Sequence, residues 1–371
     1  MERRYFIKQS MLKVSAMGIL PGFFYKKKIN KKGLGIALVG LGSYSTYQLA
    51  PALQETSRCY LAGIVTGTPE KEGIWAKKYQ IPQKNIYNYQ NFDSIAQNKD
   101  IDIIYVVLPN GMHKEFVIRA AKAGKHVICE KPMANNLDEC MEMIQACNKA
   151  GVRLSLGYRL HFEPHHRHVM KLGQQKVYGD VHSIDTSFSF RMRKKGQWRL
   201  DKELSGGGAL MDIGIYCVQG AIYTIGALPL AVKASMYSED KNLFDEVEEF
   251  IDWELTFPGN IKAKCHANYS NSTNFLKIKT EKGYINLEPS YGYGGIKGET
   301  HEGAMGIKNV NQQALQMDDF AVCIQENKPS RIPGVMGGRD MAILDTIYKA
   351  ARSGKEEKIE YPDQLRILDK V

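Results

Sequence analysis

Apolar and polar positions along this chain follow two different periods, and the change of period divides it. Leu34-Gly-Ile-Ala-Leu-Val-Gly40 is a short unbroken apolar run, as expected of a parallel strand buried on both faces. Helical spacing follows over Thr46–Leu53. Further strands are predicted at Tyr60–Val65, Ile101–Leu108 and Lys125–Cys129, with a helix over Lys114–Ala123 that Gly124 ends. Strands alternating with helices at this spacing specify a doubly wound parallel sheet. Between Val181 and Glu288 the period drops to two, over Ser183–Arg191, Glu248–Phe257 and Asn260–Tyr269. Such alternation predicts a large open, mostly antiparallel sheet with one face on a helix layer. A helix starting near Ala209 carries Leu210, Ile213, Cys217, Ala221 and Ile225 as its apolar stripe. A last helix near Met336–Arg352 is expected to pack back on the first domain. The fold class is α/β, an N-terminal Rossmann domain followed by a C-terminal α+β domain. The segments are a leader (1–30), the doubly wound domain (31–155), the domain of the open sheet (156–335) and the final helical stretch (336–371).

The turn after the first strand reads Gly40-Leu-Gly42-Ser43-Tyr44-Ser45. Strand, glycine turn and helix in that order suit a dinucleotide diphosphate. Gly40 permits the tight turn, Gly42 lets the backbone approach the phosphates, and the helix N-terminus offers free N–H groups and a positive dipole end. Ser45 stands where a third small residue packs helix on strand. The second strand ends in Thr66-Gly67-Thr68, with Lys71 beyond, and no carboxylate stands at the strand end to bind a ribose 2′-hydroxyl. Hydroxyls and a lysine suit a 2′-phosphate, so NADP is expected, while Glu70 leaves room for NAD. Leu108-Pro109-Asn110 with His113, and Glu130-Lys131, fall at later strand ends, where ligands of such sheets bind. His113 reads either as a ligand contact or as an ordinary helix start.

Composition and charge narrow the classes. The 371 residues fit two domains. The formal charge of +10 would suggest nucleic acid if it formed a stripe. Much of it is Arg3, Arg4, Lys8, Lys13, Lys26–Lys28, Lys31 and Lys32, so the body is nearly balanced and no nucleic-acid partner is expected. The adjacent Arg3-Arg4, then Phe6-Ile7-Lys8 and a modest apolar stretch, resemble a bacterial twin-arginine export signal. That predicts passage through the twin-arginine machinery to the periplasm, with the leader either removed or kept as a membrane tether. The seven cysteines include no C-x-x-C pair, so buried free thiols are expected.

Gly40-Leu-Gly42, Leu108-Pro109-Asn110 with His113, and Glu130-Lys131-Pro132, in this order, resemble the Gfo/Idh/MocA oxidoreductase family. Gly157-Tyr158-Arg159-Leu-His161 through Pro164 is similar to the glucose–fructose oxidoreductase branch of that family. So is Trp198-Arg199 through Gly206-Gly-Gly208 to Asp212 and Tyr216, where most of the wider family has His in place of Tyr216. The likeness runs from Lys32 to the end of the chain. It implies NAD(P)-dependent hydride transfer on a sugar or polyol, with a homodimer or homotetramer paired through the open sheet face.

The residues themselves support this chemistry. Three glycines before the helix near Ala209 predict a flexible loop that a ligand can approach closely. Asp212 and Tyr216 are spaced to share a helix face offset from the apolar stripe. Moving hydride from a sugar carbon requires a base for the hydroxyl proton and stabilisation of the developing alkoxide. A free tyrosine titrates near about 10, so a phenol acting as base near neutrality needs a cation beside it. Lys131 is expected to be that cation and to bond the reacting oxygen. Tyr216 is the expected base, and Asp212 orients the sugar or Lys131. Tyr158 and Arg159 are expected to line the pocket, with Arg159, Trp198 and Arg199 also serving the cofactor. His161, Glu163, His165, His166 and His168 crowd together, but hydride transfer needs no metal, and a solvated helix start is expected there. A glycosidase of the same family, using nicotinamide only transiently, is the alternative. A binding or sensory protein on the same fold is a further one.

Overall fold

The computed structural model describes residues 33–369. The leader with its paired arginines lies outside the described residues. Strands β1 (Leu34–Val39), β2 (Cys59–Val65), β3 (Ile86–Tyr87), β4 (Ile103–Val106), β5 (His126–Cys129) and β6 (Leu154–Leu156) form one sheet in the order β3-β2-β1-β4-β5-β6. Every pairing in it is parallel. The central strands β1 and β4 are almost wholly buried, which is why they are apolar at successive positions rather than alternately. The order reverses between β1 and β4, and the cleft outside their carboxyl ends is where such sheets take ligands.

The second sheet has nine strands. In chain order they are β7 (Val181–Ser189), β8 (Ala231–Tyr237), β9 (Phe250–Thr256), β10 (Lys262–Asn268), β11 (Asn274–Thr280), β12 (Gly283–Leu287), β13 (Gly298–Thr300), β14 (Gly303–Ala304) and β15 (Glu357–Lys358). They lie in the order β14-β13-β12-β11-β7-β10-β9-β8-β15, antiparallel except for β7 beside β10. Alternation sets the two faces. Ile251, Trp253, Leu255, Ala263, Cys265 and Ala267 point inward and are buried, while Lys233, Asp252, Glu254, Lys264 and His266 line the outer face.

The helix Ile215–Ile225 departs from the expected stripe: it is buried all round from Ile215 to Thr224. It is wedged between the inner face of the second sheet and the helices Pro164–Gln174 and Gly334–Ser353, so no side of it meets water. The helix Gly334–Ser353 packs on helix Leu137–Ala150 and β6 of the first domain and on β8 of the second. Gly337 permits that approach, because a Cβ there would lie 2.6 Å from Leu156. A helix at Gln312–Gln325 buries Ala314, Met317, Phe320 and Ala321 against Leu49, Cys59 and Trp75 of the dinucleotide-binding side. All seven cysteines are buried and free, as their apolar contexts predicted.

Candidate active site

The first glycine turn is built as its sequence requires. Gly40 has φ +94, and a Cβ there would lie 2.5 Å from the Val107 carbonyl oxygen. A Cβ on Gly42 would meet nothing within 4 Å, so this backbone faces open space. Ser45 donates from Oγ to the Gly40 carbonyl at 2.5 Å, which closes the turn and explains why a serine serves in place of glycine. Ser43 is exposed beside it. Lys71 reaches back from the helix after β2 to bond the Leu41 carbonyl at 2.8 Å. Thr66, whose Oγ1 accepts from the Thr68 N–H at 3.1 Å, and Gly67, packed under Tyr89, complete that corner. The open ground over Gly42, flanked by an ammonium and hydroxyls, fits a dinucleotide diphosphate with a 2′-phosphate nearby.

Several residues expected to touch the cofactor instead hold the cleft in shape. His113 is fully buried, with Nε2 2.8 Å from the Leu108 carbonyl and Nδ1 3.0 Å from that of Pro132. Both ring nitrogens are engaged, so the imidazole pins the two strand-end loops and has no edge for a ligand. Burial pushes its pKa down against the pull of those carbonyls. Asn110 donates to the Ser205 carbonyl at 2.7 Å, tying the loop after β4 (Leu108, Pro109) to the second domain. Glu130 is buried, accepts from the Tyr105 hydroxyl at 2.7 Å, and has its pKa raised by burial. Gly157 is required beneath it: a Cβ there would lie 2.4 Å from a Glu130 oxygen.

At the mouth of the cleft the expected catalytic residues do converge. Lys131 donates to the Asp212 carbonyl at 2.5 Å, and its Nζ lies 3.5 Å from Asp212 Oδ1. The same ammonium sits 4.9 Å from the Tyr216 ring centroid. Arg199 donates from Nε to Asp212 Oδ2 at 2.8 Å, and its guanidinium lies over the Trp198 ring at 4.5 Å. Burial alone would raise the Asp212 pKa, but Arg199 and Lys131 outweigh it and hold the carboxyl below its ordinary value. Asp212 therefore orients Lys131. Arg199, expected on the cofactor, is held by Asp212.

The triple glycine is not a flexible loop. Glu248 accepts from the N–H groups of Gly208 and Leu210, both at 2.9 Å, and from the Tyr348 hydroxyl. A Cβ on Gly207 would lie 2.0 Å from the Tyr348 oxygen and one on Gly208 2.1 Å from the Glu248 carbonyl. Those glycines are small because the backbone is clamped. Glu248 and Tyr348 escaped the sequence reading because they act from distant segments. Tyr269 did too; it donates to Asp212 Oδ2 at 3.3 Å, and its place at the end of a predicted strand was the available signal.

Tyr158 and Arg159 also depart from expectation. Tyr158 turns inward, 1% exposed, stacked on His161, with Asp340 and Arg339 as its charged neighbours. Arg159 is buried, and its terminal nitrogens bond the carbonyls of Tyr291 and Gly292 and the Gln312 side chain at 2.5–2.8 Å. Its guanidinium lies 5.0 Å from the Tyr216 ring and 4.6 Å from that of Tyr293. Burial works against its charge, yet the phenols of Tyr216, Tyr44 and Tyr293 hold its pKa above the ordinary value. The histidine-rich helix start is core rather than solvated. His161 meets Asp369 at 2.6 Å, His165 meets Glu163 at 2.7 Å, and His166 bonds Tyr223 and the Ser290 carbonyl. Burial pushes the His166 pKa down to about 3.

A dinucleotide cleft beside a Lys–Asp–Tyr cluster defines a nicotinamide-dependent oxidoreductase. Residues 34–158 match the model of the oxidoreductase family with an NAD-binding Rossmann fold, and residues 166–286 match the GFO/IDH/MocA C-terminal domain. The aldose-aldose oxidoreductase of Caulobacter crescentus, a solved structure, is 39% identical, covers 88% of this chain and 99% of its own, and superposes with a TM-score of 0.85. The NADP-dependent D-xylose 1-dehydrogenase of Haloarcula marismortui is 27% identical over 87% of this chain and 92% of its own. An NADP-dependent scyllo-inositol 2-dehydrogenase of Bacillus subtilis is 27% identical over 72% of this chain and 81% of its own. The chain belongs to the GFO/IDH/MocA family and is an NAD(P)-dependent oxidoreductase acting on CH–OH groups.

Proposed function

We propose that this oxidoreductase works on an aldose-type sugar, with NADP retained between turnovers. The observation that carries the reading is the convergence of Lys131, Asp212 and Tyr216 at the carboxyl ends of the first sheet. Bound nicotinamide supplies the hydride acceptor and donor. The sugar hydroxyl loses its proton to the Tyr216 phenolic oxygen in oxidation and regains it in reduction. Lys131, fixed by Asp212, donates to the same sugar oxygen and stabilises it as charge builds. Arg159 on the far side keeps a second cation by the Tyr216 ring. Lys71 and the Thr66–Thr68 corner favour the 2′-phosphate of NADP. The sugar chemistry named for the aldose-aldose oxidoreductase and the xylose dehydrogenase supports an aldose.

Export would make retention necessary. The Arg3-Arg4 motif suits a route that carries folded, cofactor-loaded protein, and no free NADP is expected outside the inner membrane. We place the protein in the periplasm, delivered by the twin-arginine machinery. Cell fractionation after replacing both arginines with lysine tests this: the protein should stay in the cytoplasm, and normal periplasmic delivery would overturn the placement. The outer face of the second sheet, where exposed Tyr237 stacks on Phe250, suits pairing of copies into a dimer or tetramer. Light scattering of Tyr237→Glu beside the parent protein checks it.

Absorbance of the as-purified protein before and after each member of an aldose panel tests the main reading. Reduction of bound nicotinamide by one aldose, reversed by a second sugar, is expected. Cleavage of a glycoside with no net reduction would replace it with the glycosidase alternative.

A further inference from the structure

We infer that Tyr44 and Tyr293 form an aromatic clasp across the cleft mouth that sets how slowly the dinucleotide leaves. The inference rests on the retained-cofactor reading and adds the residues responsible. Tyr44 belongs to the glycine turn, two positions beyond Gly42 and its open backbone. Tyr293 comes from the second domain, on the connection between β12 and β13. Their ring centroids lie 5.5 Å apart at 33°, so one side-chain contact joins the dinucleotide turn to the opposite wall.

Three further observations single out Tyr293. It is 51% exposed although the Arg159 guanidinium lies 4.6 Å from its ring, so one face is held by a buried cation and the rest meets the cleft. A tyrosine serving only as core would not be left that open. The base of its loop is fastened: Arg159 bonds the carbonyls of Tyr291 and Gly292, and Asn274 Oδ1 accepts from the N–H groups of Ser290 and Tyr291. Two unhindered glycines follow before Ile296, whose N–H and carbonyl are held by Asn309. Cβ atoms on Gly294 and Gly295 would meet nothing within 4 Å, and Gly295 sits at φ +69. A ring hinged on two unhindered glycines and parked on a fixed guanidinium can swing away from Tyr44 while the base of the loop keeps its place.

Loading the full-length protein with fluorescent NADPH and chasing with excess NADP⁺ in a stopped-flow instrument measures the exit rate. Tyr293→Phe keeps the ring and should leave the rate within about twofold, since the aromatic contact does not need the hydroxyl. Tyr293→Ala and Tyr44→Ala should each speed release by roughly three- to tenfold, the scale of one aromatic contact. The double variant should be no faster than the faster single one, because both changes remove the same contact. An unchanged exit rate in Tyr293→Ala, or fully multiplicative effects in the double variant, would overturn the clasp. If the parent protein loses its nucleotide on gel filtration, the retained-cofactor reading fails by itself. The ratio of exit rates still decides the clasp.

Discussion

The Lys131 ammonium lies over the face of the Tyr216 ring, 4.9 Å from its centroid, and is held there by Asp212. A cation on a phenol ring, braced by a carboxylate that also holds Arg199, ties proton transfer to the position of one lysine. Tyr216→Phe removes the base and should cut turnover by on the order of a hundred- to ten-thousand-fold while nucleotide stays bound. Lys131→Ala should do comparable damage. Steady-state rates with bound nucleotide quantified in the same samples check both, and near-normal turnover in both variants would reject the assignment.

Asp212→Asn keeps the shape and removes the charge that orients Lys131 and Arg199. Losing charge-assisted hydrogen bonds should lower turnover by roughly ten- to a hundredfold. Because the carboxyl is held below its ordinary pKa, it is already ionised throughout the neutral range. The ratio of parent to variant turnover should therefore be flat from about pH 5 to pH 8. A ratio that falls toward one as pH drops through that window would show Asp212 titrating there.

His113 positions Lys131 without touching substrate, through its bond to the neighbouring Pro132 carbonyl. His113→Leu should fill the space but strand buried carbonyls, costing on the order of 1–3 kcal/mol in stability. It should also lower kcat more than it raises KM for the sugar. Thermal melts and kinetics together check this, and partial recovery in His113→Gln is expected, since an amide N–H can donate to one of those carbonyls.

A buried ionic cluster anchors the chain end. Arg339 donates to Asp369 at 2.8 Å and to Asp340 at 2.7 Å, all within the core. Burial by itself would raise the Asp369 pKa, but Arg339 and His161 hold it well below the carboxylate range. A depressed acid pKa contributes stability that is fully present above the unfolded value of about 3.9 and is lost as pH falls through the lower folded value. Asp369→Asn should cost about 3 kcal/mol at neutral pH, since Asp340 still faces the arginine. Its melting temperature should also fall less steeply with acid below about pH 4 than that of the parent. Equal acid slopes would show that Asp369 is not the titrating group.

Local periodicity and turn chemistry by themselves determined the parallel sheet, the antiparallel sheet and the glycine turn, while Lys131, Asp212 and Tyr216 are picked out with the family resemblance and meet only through the fold. The sheets and the turn follow from neighbours in sequence: an apolar run is buried on both faces, alternation divides a sheet into inner and outer faces, and Gly40 must take a positive φ. What long-range packing alone decided is which polar residues remain free to act. His113, Arg159, Tyr158 and the histidines at the start of helix Pro164–Gln174 all carry chemistry on paper. Each is spent on partners far along the chain or held inside the core. Likewise nothing local in the triple glycine reveals Glu248 and Tyr348 closing on it, nor in Tyr44 that Tyr293 lies against it. A buried polar group must find its hydrogen bonds wherever the fold brings them, and that choice is made by the folded chain and not by its neighbours in sequence.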